Sequence, residues 1–451
     1  MIHAHKKYFF TALLLFMMGF SVLPRPAQAQ TIIRDTEIES YLNDWFTPIF
    51  EASGMSPSQV KIILVQDNDV NAFVAGGSNI FFYTGLIEKT DNPGELIGVM
   101  AHELGHISGG HLVRGREAME QASYESLLGA IIGLGAAVAS GDAGGVAAGS
   151  MAGSSVAQRR FLSKARTFES SADQAAISSM NKAGMNPAPF LTFLQKLEGQ
   201  ELLTTSQQSE YVRSHPLTRN RIETVRAKIE KSPNTDRPYP SQWTEQHARM
   251  KAKLMGFINP GQVEWQYDSK DTSIPALYAR TVADYRQNRI ESALNNIDTL
   301  ISREPNNPYF HELKGQMLVD FGRVAEGKKD YERAIELRPN SGLIRTSLAH
   351  AQIETAGEDK QKLQQAIDNL KRAAQDEPRS TRVQRLLATA YGRMGDDAMA
   401  RLHLAEEALL QQKYPYAKQQ ASIALKSLKP STPAALRAND ILRYIEQKKP
   451  S

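Results

Sequence analysis

Cysteine is the one residue type that this sequence of 451 residues lacks altogether. Without thiols the chain can form no disulfide bond, and any metal site must use histidine or oxygen ligands instead of thiolate. A lipid anchor attached to cysteine is excluded for the same reason.

A large excess of one charge is missing as well. The formal net charge is only +4, and three of those charges, on Lys6, Lys7 and Arg25, lie within the first 29 residues. Because a protein that binds the phosphates of nucleic acid needs a basic surface, we expect no nucleic-acid partner.

Long apolar runs are also scarce. The run from Tyr8 to Val22 is short for a membrane span. It follows Lys6-Lys7 and precedes Ala27-Gln28-Ala29, an order that is typical of a cleaved signal peptide. We therefore predict that residues 1–29 are removed and that the mature chain is periplasmic and has no transmembrane segment. An uncleaved membrane anchor is the alternative.

Two domains are predicted for the remaining chain, because its length exceeds what a single core usually supports. For residues 30–232 the sequence predicts an α+β fold that is mostly helical. Strands are expected at Val60–Gln66 and Asn79–Thr84, and helices at about 95–113 and 163–182, where apolar residues recur at helical spacing. The second strand is our candidate for an exposed edge that pairs with a substrate chain, and a fully buried strand is the alternative.

Glycine and alanine dominate residues 127–157, which carry almost no charge. Such a composition specifies side-chain packing only weakly. We predict either a mobile lid over the active site or a close-packed helical hairpin, and the sequence favours neither.

A repeat follows a proline-rich stretch of the chain. Pro305 and Pro339 are 34 residues apart, and the pattern recurs before Pro378. A helix–turn–helix period of this length is typical of tetratricopeptide repeats. We predict a linker over 233–272 and, over 273–449, an all-α tetratricopeptide-repeat solenoid of about four units with a C-terminal capping helix. The small or apolar residues at matching offsets are Ala293, Ile297 and Leu300, then Gly327, Tyr331 and Ala334, then Ala366, Leu370 and Ala373.

The motif His102-Glu103-Leu104-Gly105-His106 lies in the first predicted helix. Residues four apart share one face of a helix, so His102 and His106 can bind one ion together, and neutral imidazole suits Zn²⁺. Glu103 is placed to accept a proton from an attacking water. The motif indicates a hydrolytic zinc site that needs a third protein ligand.

Two places in the sequence compete for that third ligand. A metzincin would have a histidine six residues after the motif, where this chain has Leu112. His111 is one residue early and is more typical of a structural histidine. Glu169 and Asp173 are four apart on the second predicted helix, so one of them could bind zinc while the other hydrogen-bonds a ligand histidine.

These motifs resemble the HtpX and CAAX-prenyl-protease family of zinc peptidases, and above all its soluble periplasmic members that carry tetratricopeptide repeats. The resemblance implies a gluzincin-type domain with one Zn²⁺ on His102, His106 and Glu169. It also implies that Glu103 is the general base and Asp173 a proton donor, although orientation of a ligand histidine by Asp173 is equally compatible with the residues. The further matching motifs are Asn71-Ala72-Phe73, Gly77-x-x-Ile80, Thr84-Gly85-Leu86, Arg166-x-x-Glu169-x-x-Ala172-Asp173, Ala183-Gly184-Met185-Asn186-Pro187, and Ser214-His215-Pro216 with Arg221.

His215 has two functional interpretations. It could stabilise the oxyanion of a tetrahedral intermediate. Alternatively, as the resemblance suggests, it could be a fourth zinc ligand that keeps the enzyme latent. A structural histidine held by Pro216 is the remaining alternative.

The resemblance also implies a function. It predicts a periplasmic zinc endopeptidase with a chaperone-like role, whose substrates are unfolded or misassembled envelope proteins and whose repeats dock to the outer-membrane assembly machinery. A non-proteolytic chaperone or scaffold that docks through the repeats is the alternative. Glu103 argues against an inert site, because a structural zinc needs no adjacent base.

Overall fold

The computed structural model describes residues 31–115, 117 and 144–448. The predicted signal peptide, residues 1–29, lies outside this part of the chain, as do residues 127–143 of the glycine- and alanine-rich segment. The cleavage site and the choice between a lid and a hairpin therefore stay predictions. None of the helices in the described ranges is both long and apolar enough to cross a membrane.

A four-stranded sheet forms one side of the N-terminal part. Its strand order is β1-β2-β4-β3, with β2 and β4 parallel and the other pairs antiparallel. The predicted edge strand is therefore wrong: β4 is bonded on both sides, and β1 and β3 are the two edges. The hairpin between β3 and β4 places β3 outside β4. The strands are β1 Thr31–Ile33, β2 Lys61–Gln66, β3 Ala72–Ala75 and β4 Asn79–Tyr83.

Helices pack against this sheet. The most buried of them is α3, whose residues from Pro93 to Gly105 are all buried. The helices are α1 Thr36–Ala52, α2 Thr84–Lys89, α3 Pro93–Ser108, α4 Gly144–Lys182, α5 Ala188–Glu198, α6 Glu210–Ser214, α7 Arg219–Ile229, α8 Ser241–Ile258 and α9 Val263–Gln266, with short 3-10 turns at Pro57–Gln59, Gly199–Leu202 and Pro260–Gln262.

Two predicted helix boundaries are wrong. The first helix ends at Ser108 and not near 113, because Gly110 adopts a positive φ of 63° that breaks the helix. A separate helical turn follows at 111–115. The second helix, α4, begins at Gly144 and not near 163. Its first turns are rich in alanine, the strongest helix former, which compensates for the interspersed glycine.

The segment 233–272, predicted as a linker, contains the long helix α8. Met250 and Leu254 of this helix belong to the core of the N-terminal part. On another face, Ala252 packs with Ala279 and Ala283 of the first repeat helix. The helix thus joins the two parts by packing on both, and the domain boundaries stay predictions.

Helical hairpins make up the C-terminal part, which confirms the predicted fold class. Four successive pairs pack in series and are followed by two more helices. The small and apolar residues at the matched offsets of the repeat are buried, among them Ile297, Ala334 and Leu370. The helices are α10 Ile274–Arg286, α11 Ile290–Arg303, α12 Pro308–Asp320, α13 Val324–Leu337, α14 Gly342–Thr355, α15 Lys360–Asp376, α16 Thr381–Met394, α17 Asp397–Leu410, α18 Tyr414–Leu425 and α19 Pro433–Gln447.

Polar contacts hold the repeats against the N-terminal part. Lys253 of α8 is buried and pairs with Asp35 at 2.8 Å and with Glu37 at 3.1 Å. The hydroxyl of Tyr278, on the first repeat helix, donates to Glu37 over 2.7 Å. Farther along the repeats, Arg34 pairs with Glu377 at 2.6 Å.

This buried ion cluster leads to a stability prediction. Replacing Lys253 with methionine leaves the fully buried Glu37 without its cation, and removing one partner of a buried pair costs about 3 to 5 kcal/mol. We expect a loss of this size in the free energy of unfolding, measured by urea denaturation and followed by the fluorescence of Trp45 and Trp243. The matched control is Lys418→Met, since Lys418 forms an exposed pair with Glu446 and should cost less than about 1 kcal/mol. Equal effects of the two substitutions would contradict the prediction.

Candidate metal centre

Three separate elements contribute to one cluster of ligand groups. His102 and His106 lie on α3, Glu169 lies on α4, and His215 directly follows α6. Ligand atoms of these four residues all lie within 4.8 Å of one another. Four groups of this chemistry, drawn together from distant points of the chain, are the donor set that zinc prefers.

A close crossing of two helices brings these residues together. Gly105 of α3 faces the backbone of Ala172 on α4, and a Cβ at Gly105 would lie only 2.7 Å from the carbonyl oxygen of Ala172. Because glycine allows this approach, the histidines of α3 reach Glu169. The distance between the Nε2 atoms of His102 and His106 is 3.0 Å.

The inner atoms of the cluster are arranged to receive a cation. His215 Nδ1 lies 3.3 Å from His102 Nε2 and 3.1 Å from the Glu169 carboxylate. The same carboxylate lies 3.4 Å from His106 Nε2. Protons cannot satisfy this many converging lone pairs at once, whereas a single Zn²⁺ can. The residues therefore fit the zinc ion that the sequence predicts.

Asp173 sets the orientation of the first histidine. Its Oδ1 lies 2.8 Å from His102 Nδ1, on the opposite side of the ring from the cluster. A proton held on Nδ1 leaves the lone pair of Nε2 directed at the cluster. Burial alone would raise the pKa of Asp173, but the Arg221 guanidinium and His102 lower it, so the carboxylate stays charged.

His111 supports the second histidine and is not in the ligand set. Its Nδ1 lies 3.1 Å from His106 Nδ1, and its ring stacks on Phe168 with centroids 4.6 Å apart. Burial lowers the pKa of His106. The ring therefore stays neutral, which is the form that binds a metal.

Glu103 lies beside the cluster with an oxygen that has no hydrogen-bond partner. The side chain is 1% exposed, and its Oε1 is buried without a partner. The Nε2 atom of His215 lies 3.4 Å from this oxygen. Burial raises the pKa of Glu103, which makes this carboxylate a better proton acceptor than an exposed one.

Arg221 is the residue whose role the sequence analysis missed. Its guanidinium is buried and forms two hydrogen bonds to Asp173, of 2.7 and 2.8 Å. It also lies 2.9 Å from the Glu169 carboxylate and donates to the carbonyl oxygens of His215 and Pro216. The available signal was an arginine on a core-facing helix shortly after the His-Pro pair.

Together, the crossed helices, the histidine pair, the glutamate and the adjacent buried carboxylate define the metallopeptidase class of protein. Residues 34–229 match the model of peptidase family M48. The part of the chain that contains the site is therefore similar to peptidase family M48, which confirms the resemblance noted from the motifs.

Several characterised proteins are similar to this chain. It is 26% identical over 332 residues to the Beta-barrel assembly-enhancing protease of Escherichia coli (strain K12), covering 72% of this chain and 66% of that protein. It is 25% identical over 348 residues to the protein of the same name from Yersinia pestis, covering 75% and 70%. The chain thus spans just under two thirds of the length of the first of these relatives.

A shorter match and a structural match complete the comparison. Metalloprotease LoiP of Escherichia coli (strain K12) is 27% identical over 176 residues, which cover 38% of this chain and 63% of that protein. Among solved structures, MamA aligns with a TM-score of 0.30 and 16% identity, covering 42% of this chain and 90% of MamA. The helical hairpins themselves, and not this likeness, support the repeat fold.

The contacts of Arg221 lead to a prediction about zinc affinity. Replacing it with methionine frees Asp173 and Glu169 to rotate, and loss of such outer contacts weakens metal binding about 10- to 100-fold. We expect a fall of this size in zinc affinity, measured by competition with a chromogenic chelator.

The matched control is Arg226→Met, one turn farther along α7, where Arg226 is 42% exposed and makes only a loose pair with Glu223. It should bind zinc as the wild type does. An Arg221→Met variant that is folded by circular dichroism and has unchanged zinc affinity would contradict the prediction.

Proposed function

We propose that this protein is a periplasmic zinc endopeptidase that acts on unfolded or misassembled envelope proteins. The observation that carries the proposal is the buried ligand cluster beside an unpartnered Glu103. His102, His106 and Glu169 would hold the zinc ion, which when bound supplies Lewis acidity at the scissile carbonyl. A purely structural zinc site would need no buried base beside it.

Glu103 is the proposed general base. It would take a proton from the attacking water and pass it to the leaving amine. Asp173 would fix the tautomer of His102, and its short contacts with His102 and Arg221 favour this orienting role over proton donation. The charge on Asp173 also opposes donation, since a donor must hold a proton before the reaction.

His215 is the proposed regulator of the site. Its Nδ1 lies among the ligand atoms, which favours a fourth zinc ligand at rest over an oxyanion donor. Segment 215–216 is held by Arg221 and by α6, where Tyr211 N–H donates to the Val70 carbonyl over 3.0 Å. Opening the site would therefore require this segment to move.

The edge strand β3 is the proposed binding site for the substrate backbone. It begins directly after Asn71, whose side-chain amide donates to Glu210 of α6 over 3.0 Å. The edge and the His215 segment are thus physically connected. An extended chain that pairs with β3 would gain sequence-independent main-chain hydrogen bonds.

The place of action is inferred from two independent sources. The predicted signal peptide supports export to the periplasm. The relatives are named for enhancing β-barrel assembly, which supports a role in outer-membrane protein assembly, with the repeats docking the assembly machinery. A non-proteolytic chaperone or scaffold is the second candidate, favoured by the position of His215 among the ligands.

Glu103→Gln separates the two functions. For a protease, loss of the base should reduce cleavage of unfolded casein at least about 100-fold while zinc content stays at one ion per chain. Glu223→Gln is the matched control, since Glu223 is 66% exposed, and it should cleave like the wild type. Equal cleavage rates for wild type and Glu103→Gln would support the scaffold.

His215→Ala tests the regulatory role. If His215 is a fourth ligand at rest, its removal opens one position on the metal, and we expect faster cleavage of unfolded casein than by the wild type. Lost activity would instead show that His215 takes part in catalysis, and an unchanged rate would exclude both roles.

A further inference from the structure

A cavity of about 360 Å³ lies where the N-terminal part meets the repeats. Residues at the start of α1 and Lys253 of α8 form one wall. Residues of α12, α14 and α16, the first helices of three successive hairpins, form the other. The cavity therefore lies on the groove side of the repeats. None of the residues that line it belongs to the ligand cluster.

Charged residues of both signs line the cavity in equal number, Arg34, Lys253 and Arg382 against Asp35, Glu312 and Asp320, but carboxylates outnumber cations around the buried Lys253. Lys253 is the buried cation, and Asp35 and Glu37 both pair with it. A third carboxylate, Glu312 of α12, accepts a hydrogen bond from the Thr36 hydroxyl over 2.7 Å through its Oε1. Three carboxylates therefore surround a single ammonium group.

The second carboxylate oxygen of Glu312 accepts no hydrogen bond. Its Oε2 is buried and has no hydrogen-bond partner, although Glu312 lines the cavity. Burial, increased by the charge of Asp35 and Glu37 and opposed by Lys253, raises the pKa of Glu312 to about 7. A buried acceptor without a donor destabilises the fold, so packing alone does not account for this residue.

The other cations near the cavity cannot fill this role. Arg34 is already paired with Glu39 and with Glu377. Arg382 is exposed to solvent. Among the described residues, no side chain donates a hydrogen bond to Glu312 Oε2.

We propose that this cavity binds a lysine or arginine side chain of an extended polypeptide, with its cationic group paired to Glu312. The proposal rests on the proposed function in one respect, that the polypeptide is the unfolded substrate. Helical repeats present extended concave surfaces to polypeptides, and a cavity of this volume accepts more than one side chain. The substrate would then be held at the junction of the repeats and the peptidase domain.

The test measures binding and does not depend on cleavage. The full-length Glu103→Gln protein is titrated into a fluorescein-labelled, unstructured ten-residue peptide with one central lysine, and into the same peptide with norleucine in its place. We expect the lysine peptide to bind at least about 10-fold more tightly, as for a buried charge-assisted pair. Adding Glu312→Gln should abolish this preference.

Glu326→Gln is the matched control. Glu326 lies on α13, the helix after the one that carries Glu312; it is 55% exposed and pairs with Arg323. It should leave the preference intact. A melting temperature for Glu312→Gln at or above that of the parent supports a ligand-binding role, because the substitution removes an unpartnered buried charge. A clear fall in the melting temperature of Glu312→Gln would show that Glu312 stabilises the folded protein, and it would overturn the proposal.

Two further results would overturn it. The first is that the Glu103→Gln protein binds the lysine and norleucine peptides with equal affinity. This result can be obtained without any substitution at Glu312. The other is competition by free spermidine at the concentrations at which the lysine peptide binds, which would identify a small polyamine site. Failure of the proposed protease function would appear separately, as cleavage that does not depend on Glu103.

Discussion

The bidentate ion pair between Arg221 and Asp173 is the contact on which the metal centre depends. Asp173 orients His102, and the same guanidinium touches Glu169 and the backbone at His215. One buried cation thus links two metal-binding helices to the segment that carries the fourth candidate ligand. Because all of these groups are desolvated, the loss of any partner would leave a charge uncompensated.

A second buried ion cluster organises the rest of the molecule. Lys253 lies on the helix that packs both on the peptidase core and on the first repeat, and its carboxylate partners lie at the start of the peptidase domain. The repeats are therefore held in a defined position relative to the catalytic helices.

The errors of the sequence analysis have separate physical causes. The edge strand was misassigned because strand order depends on which neighbours pair, and apolar residues in Asn79–Tyr83 are equally compatible with a central strand. The end of the first helix at Ser108 depends on the positive φ of Gly110, a backbone conformation that the composition leaves open. The long helix in 233–272 was overlooked because flanking prolines suggested a linker.

By itself, the sequence determined the helix that carries His102 and His106, the absence of thiolate ligands and the 34-residue repeat, and its motifs indicated the family resemblance. The histidine pair and the repeat are visible in the sequence because residues three or four apart share a helix face wherever the helix lies. Only the tertiary structure decided that His215 joins the ligand cluster, that Arg221 unites it and that Glu312 lacks a partner. Those facts depend on contacts between segments far apart in the chain, and burial determines whether each charge is matched.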